Sequence, residues 1–199
     1  MEFCSDPHER SYPHDDLAYA GKCNLYYCPD CEAPEIEGKK TLVIGVGRSR
    51  GAVGTARHLY DHSRDLALLL TGEDDLRESD LAWIEERGIP VYRGGVSRFI
   101  GKKGCLEKLR LVSGTELEAE AFFVAGPKVP RTDLAQQLGL PLRPTGHVEP
   151  KSQRGDTAVQ GVWVAGDLRP MTQQVSIALG TGNIAAVQID QYLTGRNVR

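Results

Sequence analysis

The sequence predicts an α/β fold built on a mostly parallel sheet, and three features carry that prediction. Apolar runs at 41–45, 66–70 and 121–125 are continuous rather than alternating, as in strands buried on both faces. A stretch of helical character, 52–62, separates the first two, which makes a βαβ unit. Glycines stand at the end of the first strand, in Gly45-Val46-Gly47, where the chain turns toward that helix.

Residues 1–40 are rich in Pro, Asp, Glu, Tyr and His without periodicity, and are expected to form a loop-rich lead-in with no core of its own. The first strand follows at 41–45, a glycine-rich turn at 45–51, the helix at 52–62 and the second strand at Leu66-Ala67-Leu68-Leu69-Leu70. Ser79 to Arg87 reads as another helix, with Asp80, Glu85 and Glu86 toward water and Gly88 as its stop. Ile89-Pro90-Val91-Tyr92 reads as a short strand. Leu106 to Leu111 and Glu116 to Ala119 form a hairpin turning at Ser113-Gly114. Ala121-Phe122-Phe123-Val124-Ala125 is a buried strand ending at Gly126-Pro127, followed by a short helix around 133–138. After a Pro- and Gly-rich stretch, Gly161-Val162-Trp163-Val164-Ala165 is expected to be a strand that stops at Gly166-Asp167. The final helix, Gln174 to Leu193, is rich in Ala, Ile and Val and is expected to be mostly buried.

Composition narrows the function classes. A chain of 199 residues with a net charge of −3 lacks the basic excess that a phosphate backbone recruits, so nucleic acid is not the expected partner. No apolar run approaches the roughly 20 residues that span a bilayer. The start, Met1-Glu2-Phe3-Cys4-Ser5-Asp6, is not a basic and then apolar leader, and a cytoplasmic location with no membrane partner is expected. Five cysteines make an odd count, with three grouped as Cys23-x4-Cys28-x2-Cys31. That grouping fits a reactive or metal-binding site in a reducing compartment better than a disulfide framework. Cys105, isolated between Gly104 and Leu106, reads as a structural thiol.

Three readings of the cysteine cluster stay open on spacing alone, the plainest being that its thiols are merely structural. In a second, Cys28 and Cys31 form a redox dithiol, since two cysteines separated by two residues close a small disulfide. In the third, Cys23, Cys28 and Cys31 join Cys4, His8 or His14 in a four-ligand zinc site. His58, His62 and His147 have no partners at ligand spacing and read as surface or packing residues. Downstream, Gly45 and Gly47 would let backbone N–H groups and the helix N-terminus meet a pyrophosphate. Arg48 and Arg50 either add charge there or are solvated, and Ser49 lies between them. After the second strand the chain reads Thr71-Gly72-Glu73-Asp74-Asp75, where a carboxylate can take a ribose hydroxyl.

Taken together, these motifs resemble the low-molecular-weight thioredoxin reductases within the pyridine nucleotide-disulfide oxidoreductases. The resemblance rests on Cys28-Pro29-Asp30-Cys31-Glu32, the strand and glycines at 42–47, Phe123-Val124-Ala125-Gly126, and Val164-Ala165-Gly166-Asp167 followed by Gln173-Gln174-Val175 and Gly180-Thr181-Gly182-Asn183-Ile184-Ala185-Ala186. It covers about residues 20–195, and the order of the motifs is more specific than any one of them. It implies a Rossmann-like FAD/NAD(P)-binding fold, a three-layer sandwich, with a lead-in at 1–40, an NAD(P)-binding domain at 41–120 and the C-terminal half of an FAD-binding domain at 121–199. It also implies that NAD(P)H reduces FAD, which reduces the Cys28–Cys31 disulfide, which in turn reduces a thioredoxin-like protein or a small-molecule disulfide. Cys28 would be the interchange thiol, Cys31 the one nearer the flavin, and Glu32, where the family has Asp, the proton donor.

Gly126, Gly166, Asp167, Gln174 and Val175 would then contact FAD or nucleotide, with the last helix directed at the reduced flavin. The family's basic run after the second strand is replaced here by acids, which favours NADH over NADPH. Relative to the family, the turn after Gly45 carries about two extra residues before its third small residue. The front half of the FAD domain is expected before residue 20, where Met1 to Ala20 contains no Gly-x-Gly. The resemblance implies a homodimer, the absent segment a partner chain that supplies the missing half, and the alternative is a truncated, non-catalytic nucleotide-binding or zinc-stabilised module.

Overall fold

A computed structural model describes residues 18, 19, 22–127 and 129–195. The chain divides into two compact units, Met1–Pro127 and Lys128–Arg199.

The first unit is organised by a five-stranded parallel sheet in the order β1-β8-β2-β3-β4, where β1 is Leu25–Tyr26, β2 Thr41–Gly45, β3 Leu66–Leu70, β4 Val91–Arg93 and β8 Ala121–Ala125. The three continuous apolar runs occupy its centre, with Val43 opposite Leu68 on one side and Phe123 on the other. Alternation along these strands sorts side chains onto two faces. Val43, Leu66, Leu68, Leu70 and Phe123 pack against α2 (Ser49–Leu59) and α3 (Glu78–Glu86). Leu42, Ile44, Leu69, Phe122 and Val124 pack against a three-stranded antiparallel sheet, β5 (Val96–Lys102), β6 (Cys105–Leu111) and β7 (Glu116–Glu118). Helices, parallel sheet and antiparallel sheet make the three layers.

The lead-in has no separate core but adds to that of the sheet: Leu25 and Ile36 are fully buried, and β1 pairs with β8 at the sheet edge. Several other expectations are corrected. Strand 121–125, grouped in the sequence with the C-terminal portion, lies in this first sheet between β1 and β2. The helix expected at 52–62 starts at Ser49, because partners distant in sequence receive its first N–H groups, as described below. Asp80 does not face water. It is buried at the start of α3, accepting from the Arg77 N–H at 3.2 Å and from the Arg57 guanidinium at 2.9 Å. Gly88 ends α3 as expected: at φ +60° it lets its own N–H reach the Glu85 carbonyl and that of Ile89 reach Ile84.

In the second unit, α4 spans Asp133–Gln137 and α5 Val175–Thr194. Residues 161–165 do not form a strand. Trp163 makes one isolated bridge to Asp156, and Val164 instead joins Ala135, Leu140 and Val148 in a small cluster. An apolar run becomes a strand only where a neighbour completes its ladder. The α5 helix is not mostly buried either: among its residues Thr181 and Ala185 are buried, whereas Val175, Leu179 and Leu193 are 77%, 64% and 75% exposed. Apolar composition makes a helix able to be buried, but another surface has to cover it.

Candidate active site

The dithiol is set by one short turn. Cys28, in extended conformation, precedes α1 (Pro29–Glu32), and Pro29 suits its first position because no N–H is needed there. The Cys28 carbonyl accepts from the N–H groups of Cys31 and Glu32 at 3.1 and 2.9 Å, which folds the two cysteines onto one turn. Both thiols are free, Cys28 half-buried and Cys31 exposed. A hydrogen bond with the Cys28 side chain, aided by burial, pushes the Cys31 thiol pKa up. Glu32 folds back over the turn, its Oε2 accepting the Tyr27 and Cys28 N–H groups at 2.8 and 2.9 Å. His58, read from sequence as a surface or packing residue, reaches the turn from α2 and lies 3.3 Å from Asp30 between the two cysteines.

The other two described cysteines are joined to each other. Cys23 and Cys105 form a disulfide across 82 residues, which corrects the reading of Cys105 as an isolated thiol. It also removes Cys23 from the proposed zinc set, since a sulfur bonded to sulfur is not a thiolate ligand. Cys4, His8 and His14 lie outside the described residues. Among the described residues no group of three or more His, Cys, Asp or Glu side chains could hold a metal ion. Beside the disulfide, Asn24 donates to the Leu106 and Glu120 carbonyls at 2.8 and 2.9 Å and accepts from the Leu106 N–H.

At the glycine turn, a Cβ on Gly45 would lie 2.8 Å from that of Ala52, so Gly45 and Ala52 provide the close strand–helix contact that the longer turn delays. Gly47 takes φ +80°, and a Cβ there would lie 3.5 Å from Pro127, so Gly126-Pro127 passes beside this turn. These features fit a nucleotide cradle. The helix start is already engaged, however. The Ser49 N–H and Oγ both donate to the Glu73 carbonyl, at 3.1 and 2.8 Å. The Arg50 N–H and Nε donate to the two oxygens of Asp75, each at 2.9 Å. Those contacts hold the Asp75 carboxyl below the usual carboxylate range, the Arg50 N–H contributing most. Arg48 is exposed and its backbone pairs in an isolated parallel β-bridge with Glu73, whose own N–H donates to the Gly47 carbonyl at 2.7 Å. Sequence reasoning missed Asp75 as a partner of this turn because the two are separated by 25 residues.

In the second unit, Gly166 opens a 3-10 turn, Gly166–Leu168, at φ +64°, and its N–H donates to Thr181 Oγ1 at 2.9 Å. That bond ties the Gly166 turn to α5 at Thr181, in the second turn of the helix that begins at Val175 with Gln174 at its N-cap position; Asp167 is exposed. His147, read as a lone histidine, has its Nε2 3.2 Å from Gln173 Nε2. Arg169 went unnoticed in the sequence; it is 4% exposed, bonds to Gln153 Oε1 at 3.4 Å, and its Nε has no hydrogen-bond partner.

The pyridine nucleotide-disulphide oxidoreductase family matches residues 22–182. The chain belongs to that family. Family members generally use FAD and NAD(P)H. The chain is 24% identical, over 86% of its length, to a 34.2 kDa protein in the rubredoxin operon of Clostridium pasteurianum, of which it spans 57%. It is 29% identical, again over 86%, to an Arabidopsis thaliana NADPH-dependent thioredoxin reductase 3, of which it spans 34%. Among solved structures, that of HlmI superposes with a TM-score of 0.76 at 28% identity, covering 88% of this chain and 54% of its own. A thioredoxin reductase from Streptococcus pyogenes shares the fold at TM-score 0.74 and 20% identity, covering 89% of this chain and 60% of its own. The chain thus spans less than two thirds of these relatives, and among its described residues no helix is long and apolar enough to cross a membrane.

Proposed function

We propose that this chain takes part in thioredoxin-reductase-like disulfide reduction, in which electrons from NAD(P)H pass through FAD to Cys28 and Cys31 and on to a protein or small-molecule disulfide. The observation that carries this reading is the pair of free thiols on one turn, joined by a hydrogen bond, in the same unit as the glycine cradle. Cys28 Sγ, as thiolate, attacks one sulfur of the substrate disulfide, and the other sulfur leaves and takes up a proton. Cys31, kept as a thiol until then by its raised pKa, loses its proton and attacks Cys28 Sγ. The substrate leaves as a dithiol, and the Cys28–Cys31 disulfide retains the oxidation. FAD, when bound, supplies the two electrons that restore the dithiol.

Glu32 is the candidate proton donor, and its capping bonds fall on Oε2. Gly45, Gly47 and Gly126 line the nucleotide end, with Arg48 and Ser49 at the helix start. Gly166, Asp167, Gln174 and Val175 serve the flavin end. The acids Glu73 and Asp74, both exposed, favour NADH over NADPH. A cytoplasmic setting, and a homodimer or a partner chain completing the flavin site, belong to the same reading. A second reading, a nucleotide-binding module without catalysis, draws on the chain spanning 57% and 34% of the two curated relatives described above.

The purified protein decides between them. Flavin absorbance that NADH or NADPH bleaches, with disulfide reduction abolished in Cys28→Ser and in Cys31→Ser while flavin stays bound, supports the enzyme. Activity that survives both changes removes the dithiol from the mechanism, and colourless protein that binds nucleotide without reducing disulfides leaves the module.

A further inference from the structure

The segment after β3 lies along the glycine turn as a strap. Thr71 donates to the Gly45 carbonyl through its N–H at 3.0 Å and its hydroxyl at 2.9 Å, and Glu73 continues the pairing to Gly47. Gly72 makes this approach possible: a Cβ there would lie 1.9 Å from the Gly47 carbonyl oxygen. The strap ends by presenting Asp75, with a side chain 17% exposed, to the first turn of α2. There the carboxylate takes one backbone N–H and one guanidinium N–H of Arg50. A phosphate at a helix start uses the same kinds of donor, oriented backbone N–H groups and an arginine fork.

We propose that Asp75 is a built-in competitor for the phosphate end of the nucleotide, and that a dinucleotide binds this turn only by displacing the Asp75 carboxylate from Arg50. The inference rests on the nucleotide reading of the β2–α2 turn given above. Two effects act together. The resting contact keeps most molecules out of the binding-competent form, so the apparent dissociation constant exceeds the intrinsic one by the inverse of the competent fraction. The carboxylate also repels the incoming pyrophosphate. Its depressed pKa keeps it charged throughout the neutral range, so pH does not relieve the competition there.

The test is titration of wild type, Asp75→Asn and Asp75→Ala with NADH and, separately, with ADP, followed by calorimetry. Both variants should bind NADH and ADP more tightly by about tenfold. Backbone resonances of the wild-type protein supply a measurement that needs no variant: the Arg50 amide should shift on adding NADH as its acceptor changes from carboxylate to phosphate. Unchanged or weakened affinity in both variants, or NADH binding that leaves the Arg50 amide unmoved, overturns the competitor role and leaves the nucleotide reading intact. Absence of NADH and ADP binding in all three proteins overturns the nucleotide reading, and this inference with it.

Discussion

At the scale of single residues, Glu32 carries two tasks that substitution can separate. Its Oε2 closes the turn by accepting from Tyr27 and Cys28, which is how a side chain satisfies N–H groups that a helix start leaves without internal acceptors. Glu32→Gln keeps an acceptor oxygen of the same reach, whereas Glu32→Ala leaves both donors to water. Chemical denaturation is expected to show Glu32→Ala less stable by about 1 kcal/mol, the size of a lost helix cap, and Glu32→Gln close to wild type. Equal loss in the two variants would remove the capping role. If Glu32 is also the proton donor, Glu32→Gln keeps its stability and slows disulfide reduction, with a changed pH profile.

At the scale of elements, the Cys23–Cys105 bond fastens the segment just before β1 to the β5–β6 turn. Closing a loop of 82 residues restricts the unfolded chain by about 4–5 kcal/mol in the chain-entropy account. Cys105→Ser is therefore expected to lower the thermal midpoint clearly in non-reducing buffer, and a reductant should bring wild type down to the variant while leaving the variant unchanged. A midpoint indifferent to both treatments would deny the bond a stabilising role. Nothing in the sequence pointed to this pair, because spacing along the chain carries no record of which distant residues meet. The same limit hid the true start of α2, whose first N–H groups go to Glu73 and Asp75. The β5–β6 hairpin escaped notice because its turn, Lys103-Gly104, takes φ +55° and +82° without the Asn-Gly or Asp-Gly pair that signals such turns. By contrast, β2, β3 and β8 were readable because burial on both faces leaves an unbroken apolar run, and the end of α3 because Gly88 suits the left-handed position there. Of the candidate site, the Cys-x-x-Cys turn and the glycines were legible as local motifs, while the strap that occupies the turn was not.

For the whole molecule, the carboxylates that set acid stability lie in both units. Arg50 lowers the Asp75 pKa, Lys108 followed by Arg110 lowers that of Glu116, and Arg143 lowers that of Glu149. A carboxyl whose folded pKa lies below its unfolded value binds its proton more readily in the unfolded chain. Its contribution is complete above the unfolded value, about 4, and is lost as pH falls through the lower folded values. The raised pKa values of Lys102 and Lys108 act oppositely: their contribution is present below about 10.4 and lost as pH rises through the folded values. Between these limits the five groups contribute a plateau across the neutral range. Urea midpoints measured at low salt are expected to hold from pH 6 to about 5 as far as these groups are concerned, and to fall below about pH 4. Because Arg143–Glu149 is exposed and Lys108–Glu116 partly so, added salt should shrink that fall by screening them, and Arg50–Asp75 less. A midpoint equally high at pH 3 and pH 6 would mean that the three carboxylate pairs add nothing to folding.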